Sequence, residues 1–267
     1  MDYNIPKLPK RDENSNKGSF GKTLNISGSE YMPGASYLSS ISALKIGAGY
    51  VQLVSEKNVL KIIAALAPEV VLSDSIGKID FNQFNAISFG CGCGISRRTK
   101  DKLILLYKNR GKIPTVIDAD GLNVLSSNYL KFDRNVILTP HPKEASRLLG
   151  CSLNKILENF EESAKNISEK YNCITVLKSH NSVVTDGNIV YKNNTGCSAL
   201  AKAGSGDILC GIITGLIAQR MNPFDASVLG VYLHGLAGDL AAKDLSEYGV
   251  LASDLLRYIP IAIKFIQ

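Results

Sequence analysis

The sequence predicts one doubly wound α/β domain, a three-layer sandwich in which a mostly parallel sheet is flanked by helices on both faces. Three observations support this fold class. Short apolar stretches alternate with stretches of helical periodicity along most of the chain, as expected for parallel strands joined by crossover helices. Glycine-rich turns follow several of the predicted strands, and a late hairpin predicts an antiparallel edge on the sheet.

Six stretches are predicted to be strands because each is apolar, short and bounded by glycine, proline or polar residues. In chain order they are KTLNISGS, YVQLVS, AISFG, TVIDAD, NVILTPHP and CITVLKS. A hairpin follows in SVVTDGNIVYK, with its turn at Asp186 and Gly187, a pair typical of tight β-turns.

The predicted helices lie between these strands. GASYLSSISALKIGAG is rich in small residues and ends at glycine, and EKNVLKIIAALAP stops at Pro68. Further helices are expected over about 97–110, in KEASRLLG, on to about Tyr171, and over most of the chain from Asp207. Because neither a repeat nor a linker interrupts this pattern, we expect a polar tail at 1–17 and a single domain at 18–267.

Composition narrows the class of protein. The chain of 267 residues is 45% hydrophobic and lacks a run of about 18 apolar residues, so no membrane span is expected. The start is polar and predicts a cytoplasmic protein. The net charge of +6 is spread along the chain, which favours a solvated surface over nucleic-acid binding. Cys91 and Cys93, separated by one residue, suit neither zinc nor a disulfide.

The stretch ALAKAGSGDILCG is the strongest candidate for chemistry. Gly204, Ser205 and Gly206 precede Asp207, and an apolar helical pattern follows at once. Glycines let a ligand approach the backbone, and a helix start offers free amides to an anion. A carboxylate beside such a phosphate site suits base catalysis of phosphoryl transfer to a hydroxyl. The alternative is that Asp207 only caps the helix.

Other candidates lie at predicted strand ends, where ligands bind in open parallel sheets. SGSEYMPGAS and GCGCG are further glycine-rich turns, but neither matches a known dinucleotide or P-loop motif. Asp118 and Asp120 are placed to contact a hydroxyl or Mg²⁺, or to cap a turn. His141 lies between two prolines and is a candidate for ligand contact, whereas His234 is interpreted as a core histidine. Lys178 is either near a phosphate or a solubilising surface lysine.

With these motifs in order, the chain from Lys17 onward resembles the ADP/ATP-dependent NAD(P)H-hydrate dehydratases, repair enzymes with a ribokinase-like fold. The motifs that support this are KGSFGKTLNISGSEYMPGAS, GAGYVQLVS, GCGCG, DADGLN, LTPHPKEASRLLG, NTGCSALAKAGSGDILCGII and VYLHGLAGDLAA. The resemblance implies dehydration of NADHX and NADPHX. A nucleotide phosphorylates the C6 hydroxyl, phosphate leaves, and NADH or NADPH is restored. Its bacterial members usually use ADP.

The resemblance also implies roles for particular residues. Asp207 would be the base, and it would contact the hydrated dinucleotide together with Ala35, Gly92 and His141. The nucleotide would be bound by Lys178, Ser179, His180, Asn181, Ser182, Gly204, Ser205 and Gly206. Mg²⁺ is implied for the phosphates, with unknown protein ligands. A homotetramer is implied too, and the small-residue helix at 34–49 is expected to pack against a neighbour. The chain has no room for the epimerase fused to some relatives.

The chain departs from the family pattern in three places. Asn16-Lys17-Gly18 replaces the usual His-Lys-Gly, and Cys91 and Cys93 replace the Pro and Leu of Gly-Pro-Gly-Leu-Gly. Ser179 replaces a glycine that usually follows the lysine. Two alternatives remain: a kinase of a small hydroxyl substrate, such as a hydroxymethylpyrimidine or hydroxyethylthiazole, and a nucleotide sensor without catalysis.

Overall fold

The computed structural model describes residues 3–267. In this range the strands form one nine-stranded sheet in the order β3-β2-β1-β4-β5-β6-β7-β8-β9. Neighbours from β3 through β7 are parallel, and β8 and β9 are antiparallel. The strands are β1 Lys22–Ile26, β2 Tyr50–Val54, β3 Val71–Ser73, β4 Ala86–Phe89, β5 Thr115–Ile117, β6 Val136–Leu138, β7 Ile174–Leu177, β8 Val183–Thr185 and β9 Val190–Lys192.

Ten α-helices accompany the sheet within residues 3–267. They are α1 Pro33–Lys45, α2 Lys57–Leu66, α3 Arg97–Asn109, α4 Asp120–Ser126, α5 Pro142–Leu149, α6 Leu153–Glu158, α7 Phe160–Tyr171, α8 Ser205–Ala218, α9 Pro223–Gly249 and α10 Ala252–Ile266. None of them combines the length and the apolar composition that a membrane span needs.

The helices form a layer on each face of the sheet, and each layer has its own hydrophobic core. Successive strand residues alternate between the two cores: Val116 and Ile137 pack with α1, α2, α8, α9 and α10, whereas Ile117 and Leu138 pack with α3 to α7. This alternation follows from the period of two along a strand. The predicted doubly wound three-layer fold, with a mostly parallel sheet flanked by helices, is therefore confirmed.

The pairing of α1 with α8 fixes the position of the glycine-rich helix start. Gly211 and Gly215 lie on one face of α8, and a Cβ on them would come within 2.0 Å of Ser42 Oγ and 2.4 Å of Ile46 Cγ2. These glycines allow close packing of α1 against α8. The small residues of α1 thus pack against α8 of the same chain, so the reason given for α1 to contact a neighbouring subunit is wrong.

Some elements differ from the predictions. β3 was not predicted, because it has only three residues at the sheet edge. α8 begins at Ser205 rather than Asp207, and α9 is kinked at Ser246, whose φ is +64°. Residues 3–21 contain no helix or strand, but Tyr3, Ile5 and Leu8 pack against the hydrophobic core.

Candidate active site

A cleft of about 840 Å³ lies where the carboxyl ends of β5, β6 and β7 meet the start of α8. This is the edge at which open α/β sheets bind ligands. Most of the predicted site residues line it. They are His141, Lys178, Ser179, His180, Ser182, Gly204, Ser205, Gly206 and Asp207.

The start of α8 is built to accept an anion. Gly204 precedes the helix with a φ of +93°, and no side chain caps the helix start. The Ser205 amide donates to the Lys202 carbonyl and the Ile208 amide to the Gly204 carbonyl. Within residues 3–267 the amides of Gly206 and Asp207 donate to no protein acceptor. Two amides at the positive end of the helix dipole therefore remain for a ligand.

Asp207 lies in the first turn of α8, beside these amides. Burial, together with the negative charge of Asp118, raises the pKa of this carboxyl group to about 6. The side chain of Asp207 caps no helix amide, so the alternative of a capping residue finds no support in its contacts. A carboxylate with a pKa near 6 is suited to accept a proton at neutral pH.

Lys178 and Asp118 form an ion pair in the wall of the cleft, with 2.6 Å between Nζ and Oδ1. Burial disfavours the charge on Lys178, but the carboxylates of Asp118 and Glu144 outweigh it and hold the pKa of Lys178 above its usual value. Ala119, next to Asp118, has a φ of +49°, a region that residues with a Cβ rarely occupy. Lys178 is thus part of the site, and the interpretation as a solubilising surface lysine is wrong.

His141 is the N-cap residue of α5, and its hydrogen bonds fix its side chain at the helix start. Its Nδ1 accepts a bond from the Glu144 amide at 3.4 Å, and its own amide donates to Glu144 Oε2 at 2.8 Å. These bonds form a capping box. Burial lowers the pKa of His141 and raises that of Glu144. The histidine predicted to contact the substrate is therefore held in place by a buried glutamate.

The other predicted substrate residues, Ala35 and Gly92, do not line the cleft. Ala35 lies in the first turn of α1 and Gly92 on the turn after β4. They are neighbours, because a Cβ on Gly92 would be 2.6 Å from the Cβ of Ala35. Asn181 is exposed and also outside the cleft wall. The neighbouring Ser179 and Ser182 are linked by two hydrogen bonds of 3.2 and 3.0 Å.

Several cleft residues were missed or misjudged from the sequence. Glu144 was not a candidate, although its position three residues after His141 is the signal of a capping box. His234 is buried, as predicted, but it also lines the cleft and lies 3.0 Å from Ser205 Oγ. The segment 193–203 forms one side of the cleft. It has no periodicity by which it could have been found.

The six cysteines carry free thiols. The fold brings Cys91 together with Cys210 and Asp118 rather than with Cys93, and one ligating atom from each lies within 4.8 Å of the others. The Cys210 thiol and burial raise the pKa of Cys91. Asp118 in this cluster is already paired with Lys178.

A carboxyl group with a raised pKa lies beside open helix amides on a doubly wound α/β fold, an arrangement that suits phosphoryl transfer and is compatible with an enzyme of the ribokinase-like class. The family model described as NAD(P)H-hydrate dehydratase matches residues 23–261. The chain belongs to this family, as the sequence motifs predicted.

Relatives and solved structures agree with this assignment. The chain is 34% identical over 253 residues to the ADP-dependent (S)-NAD(P)H-hydrate dehydratase of Neisseria meningitidis, covering 92% of this chain and 86% of the relative. It is also 34% identical to the bifunctional NAD(P)H-hydrate repair enzyme of Moorella thermoacetica, over 97% of this chain and 52% of the relative. The chain thus spans about half the length of the bifunctional relatives that it matches.

The crystal structure of the ADP/ATP-dependent NAD(P)H-hydrate dehydratase of Bacillus subtilis, co-crystallised with ATP and Mg²⁺, superposes with a TM-score of 0.88. The two chains are 29% identical, and the match covers 98% of this chain and 95% of that one. A hydroxyethylthiazole kinase from Pyrococcus horikoshii superposes with a TM-score of 0.60 at 16% identity, which shows a shared fold only.

Proposed function

We propose that this chain is an ADP-dependent NAD(P)H-hydrate dehydratase, which converts (6S)-NADHX and NADPHX to NADH and NADPH with release of AMP and phosphate. The observation that carries the proposal is Asp207, a half-buried carboxyl group with a pKa of about 6 beside the two open amides of α8. The names and coverage of the relatives support the same reaction.

The reaction uses Asp207 as a base. Its carboxylate takes the proton of the C6 hydroxyl, and the hydroxyl oxygen attacks the terminal phosphorus of the nucleotide. The bond from that phosphorus to the bridging oxygen breaks, and AMP leaves. The open amides of Gly206 and Asp207 stabilise negative charge on the transferred group. The ring nitrogen lone pair then expels phosphate from C6, and loss of a proton from C5 restores the double bond.

The two reactants are assigned to the two ends of the site. The nucleotide phosphates lie against Gly204, Ser205 and Gly206, with Lys178 close by. The segment 179–182, including His180 and Asn181, contacts the remainder of the nucleotide. The hydrated dinucleotide reaches Asp207 past Ala35, Gly92 and His141. This assignment gives a reason for glycine at 206: a Cβ there would meet only the flexible end of Lys178 at 3.4 Å, an ordinary contact, so the fold allows a side chain and the bound phosphate would not.

The donor chemistry of the cleft fits a magnesium ion. Mg²⁺ binds through one or two carboxylates together with substrate phosphates, and Glu144 offers a buried carboxylate in the cleft wall. When bound, the ion neutralises phosphate charge. Since burial raises the pKa of Glu144, a cation beside it also favours its ionised form.

The assembly and setting of the enzyme follow from the family resemblance. We propose a homotetramer in the cytoplasm, which acts together with a separate NAD(P)HX epimerase. The free thiols agree with a reducing compartment. A single monomeric mass in light scattering at micromolar concentration would rule out the tetramer.

A phosphate balance tests the reaction. The purified protein is incubated with NADHX and ADP, and inorganic phosphate, AMP and NADH are measured together. The dehydratase releases the three products in equal amounts. A stable phosphoester without inorganic phosphate would identify a kinase, and tight nucleotide binding without turnover would identify a sensor.

A further inference from the structure

A buried hydrogen bond links the nucleotide end of the cleft to α9. Ser205 Oγ, in the first turn of α8, lies 3.0 Å from His234 Nε2. Ser205 is 6% exposed and His234 is 9% exposed, and both line the cleft. The pair therefore lies directly beside the open amides of Gly206 and Asp207.

The imidazole of His234 is neutral at physiological pH. Burial lowers the pKa of His234 to about 4; a hydrogen bond to the Ser205 backbone opposes this shift, and the charge of Lys178 acts in the same direction as burial. A neutral imidazole carries one N–H and one acceptor nitrogen. The bond to Ser205 therefore has two forms, which differ in where the serine hydroxyl proton points.

We propose that His234 donates its Nε2–H to Ser205 Oγ and so turns the serine hydroxyl proton toward the cleft, where a phosphate oxygen of the nucleotide accepts it. His234 is then a positioning residue, and Ser205 supplies a third donor to the phosphate beside the two amides. The inference rests on the proposed nucleotide site and adds a side-chain pair to it.

The surroundings offer the Ser205 hydroxyl no second side-chain partner that would compete with a ligand for its proton. Serine near a helix start otherwise bonds to nearby backbone groups, but the Ser205 hydroxyl has only the bond to His234 among the side-chain bonds of residues 3–267. Lys178, the nearest cation, is already paired with Asp118. The Ser205 hydroxyl is a neutral donor. It can therefore bind a phosphate together with the amides of Gly206 and Asp207 without placing a further charge in the buried wall of the cleft.

The test measures ADP binding by calorimetry in the whole protein, without NADHX. Ser205→Ala and His234→Leu are each expected to weaken ADP binding about tenfold, as for loss of a hydrogen bond to a charged group. The double variant Ser205→Ala/His234→Leu is expected to bind ADP no more weakly than Ser205→Ala. Each of the three variants loses the same donor, the Ser205 hydroxyl aimed at the phosphate. His234→Gln keeps an N–H donor and is expected to remain within about threefold of the wild type.

Ser227→Ala is the matched control, since Ser227 is a buried serine on α9 whose hydroxyl, within residues 3–267, bonds only the Pro223 carbonyl. It is expected to leave ADP binding unchanged. Unchanged ADP affinity in Ser205→Ala would overturn the inference, even if His234→Leu does not fold. Additive losses in the double variant would also overturn it. Because ADP binding is measured without turnover, failure of the dehydratase reaction is a separate result.

Discussion

The turn Gly90–Gly94 after β4 and the turn Gly204–Asp207 at the start of α8 are both rich in glycine, but a side chain would meet different surroundings in each. At Gly90 the φ is +117°, and a Cβ would lie 2.2 Å from the Asp118 carbonyl oxygen. At Gly206 the φ is ordinary, and the nearest atom to a Cβ is the flexible end of Lys178 at 3.4 Å.

This difference distinguishes two reasons for glycine: at Gly90 the packing of the fold excludes a side chain, whereas at Gly206 the proposed ligand does. Gly90 is required because β4 and the loop after β5 pack too closely for a side chain. The protein itself has room for a side chain at Gly206, so in the proposed function glycine serves the phosphate that approaches the backbone there. A mutational comparison of the two turns therefore distinguishes folding from binding.

The largest effect is expected from Asp207→Asn, which keeps the size of the side chain and removes the base. Turnover of NADHX is expected to fall by about 10²- to 10⁴-fold, while the melting temperature and ADP affinity stay near wild type. Steady-state kinetics with ADP and NADHX measure this. Asp225→Asn, at the same position in the first turn of α9, is the control and should keep full turnover. Near-normal turnover of Asp207→Asn would show that Asp207 is not the base.

Gly206→Val is expected to weaken ADP binding by about tenfold to a hundredfold, because its side chain intrudes where the phosphate meets the backbone. Calorimetry measures the affinity, and circular dichroism is expected to show a folded protein. Gly206→Ala should have a smaller effect in the same direction. If Gly206→Val binds ADP like the wild type, the phosphate does not lie on this turn.

The pH dependence of turnover is expected to show an acidic limb near pH 6. Asp207 accepts a proton only in its ionised form, so activity rises with pH through the pKa of about 6. Between pH 7 and pH 5 the rate is expected to fall about tenfold. A rate that is flat over this range, in a protein that stays folded, would contradict the assigned pKa.

Gly90→Ala is expected to lower the free energy of unfolding by about 1–3 kcal/mol, through an unfavourable φ and a clash with the Asp118 carbonyl. Gly94→Ala is the matched control, because Gly94 also has a positive φ but has no atom within 4 Å of its Cβ position. Urea titration should rank Gly90→Ala as the less stable variant. Equal stability of the two would mean that the close packing at Gly90 does not matter.

The smallest effect is expected for metal content, and it concerns the thiols of Cys91 and Cys93 in the turn Gly90–Gly94. We expect purified protein to contain no stoichiometric zinc, since burial and Cys210 keep Cys91 protonated and Lys178 already neutralises Asp118. Elemental analysis measures the zinc content. One zinc per chain that is lost in Cys91→Ser would contradict this and would assign the cluster of Cys91, Asp118 and Cys210 to a metal.

Local patterns in the sequence predicted most of the fold and the start of α8. Alternating periodicity identified the strands of the sheet centre, and the glycines before Asp207 pointed to the helix start whose two amides remain open. Contacts between distant segments had no such signal. Lys178 and Asp118 pair across 60 residues of chain, and Ser205 meets His234 across 29. The cleft wall at 193–203 is irregular and could not be placed until the sheet brought it to the site.

The most direct test of the central claim is the recovery of NADH absorbance from prepared NADHX, with each nucleotide in turn. We predict that the protein restores the absorbance with ADP, that Asp207→Asn fails to do so under the same conditions, and that AMP accumulates as NADH appears. No recovery with either ADP or ATP, from folded protein that binds the nucleotide, would contradict the proposed dehydratase.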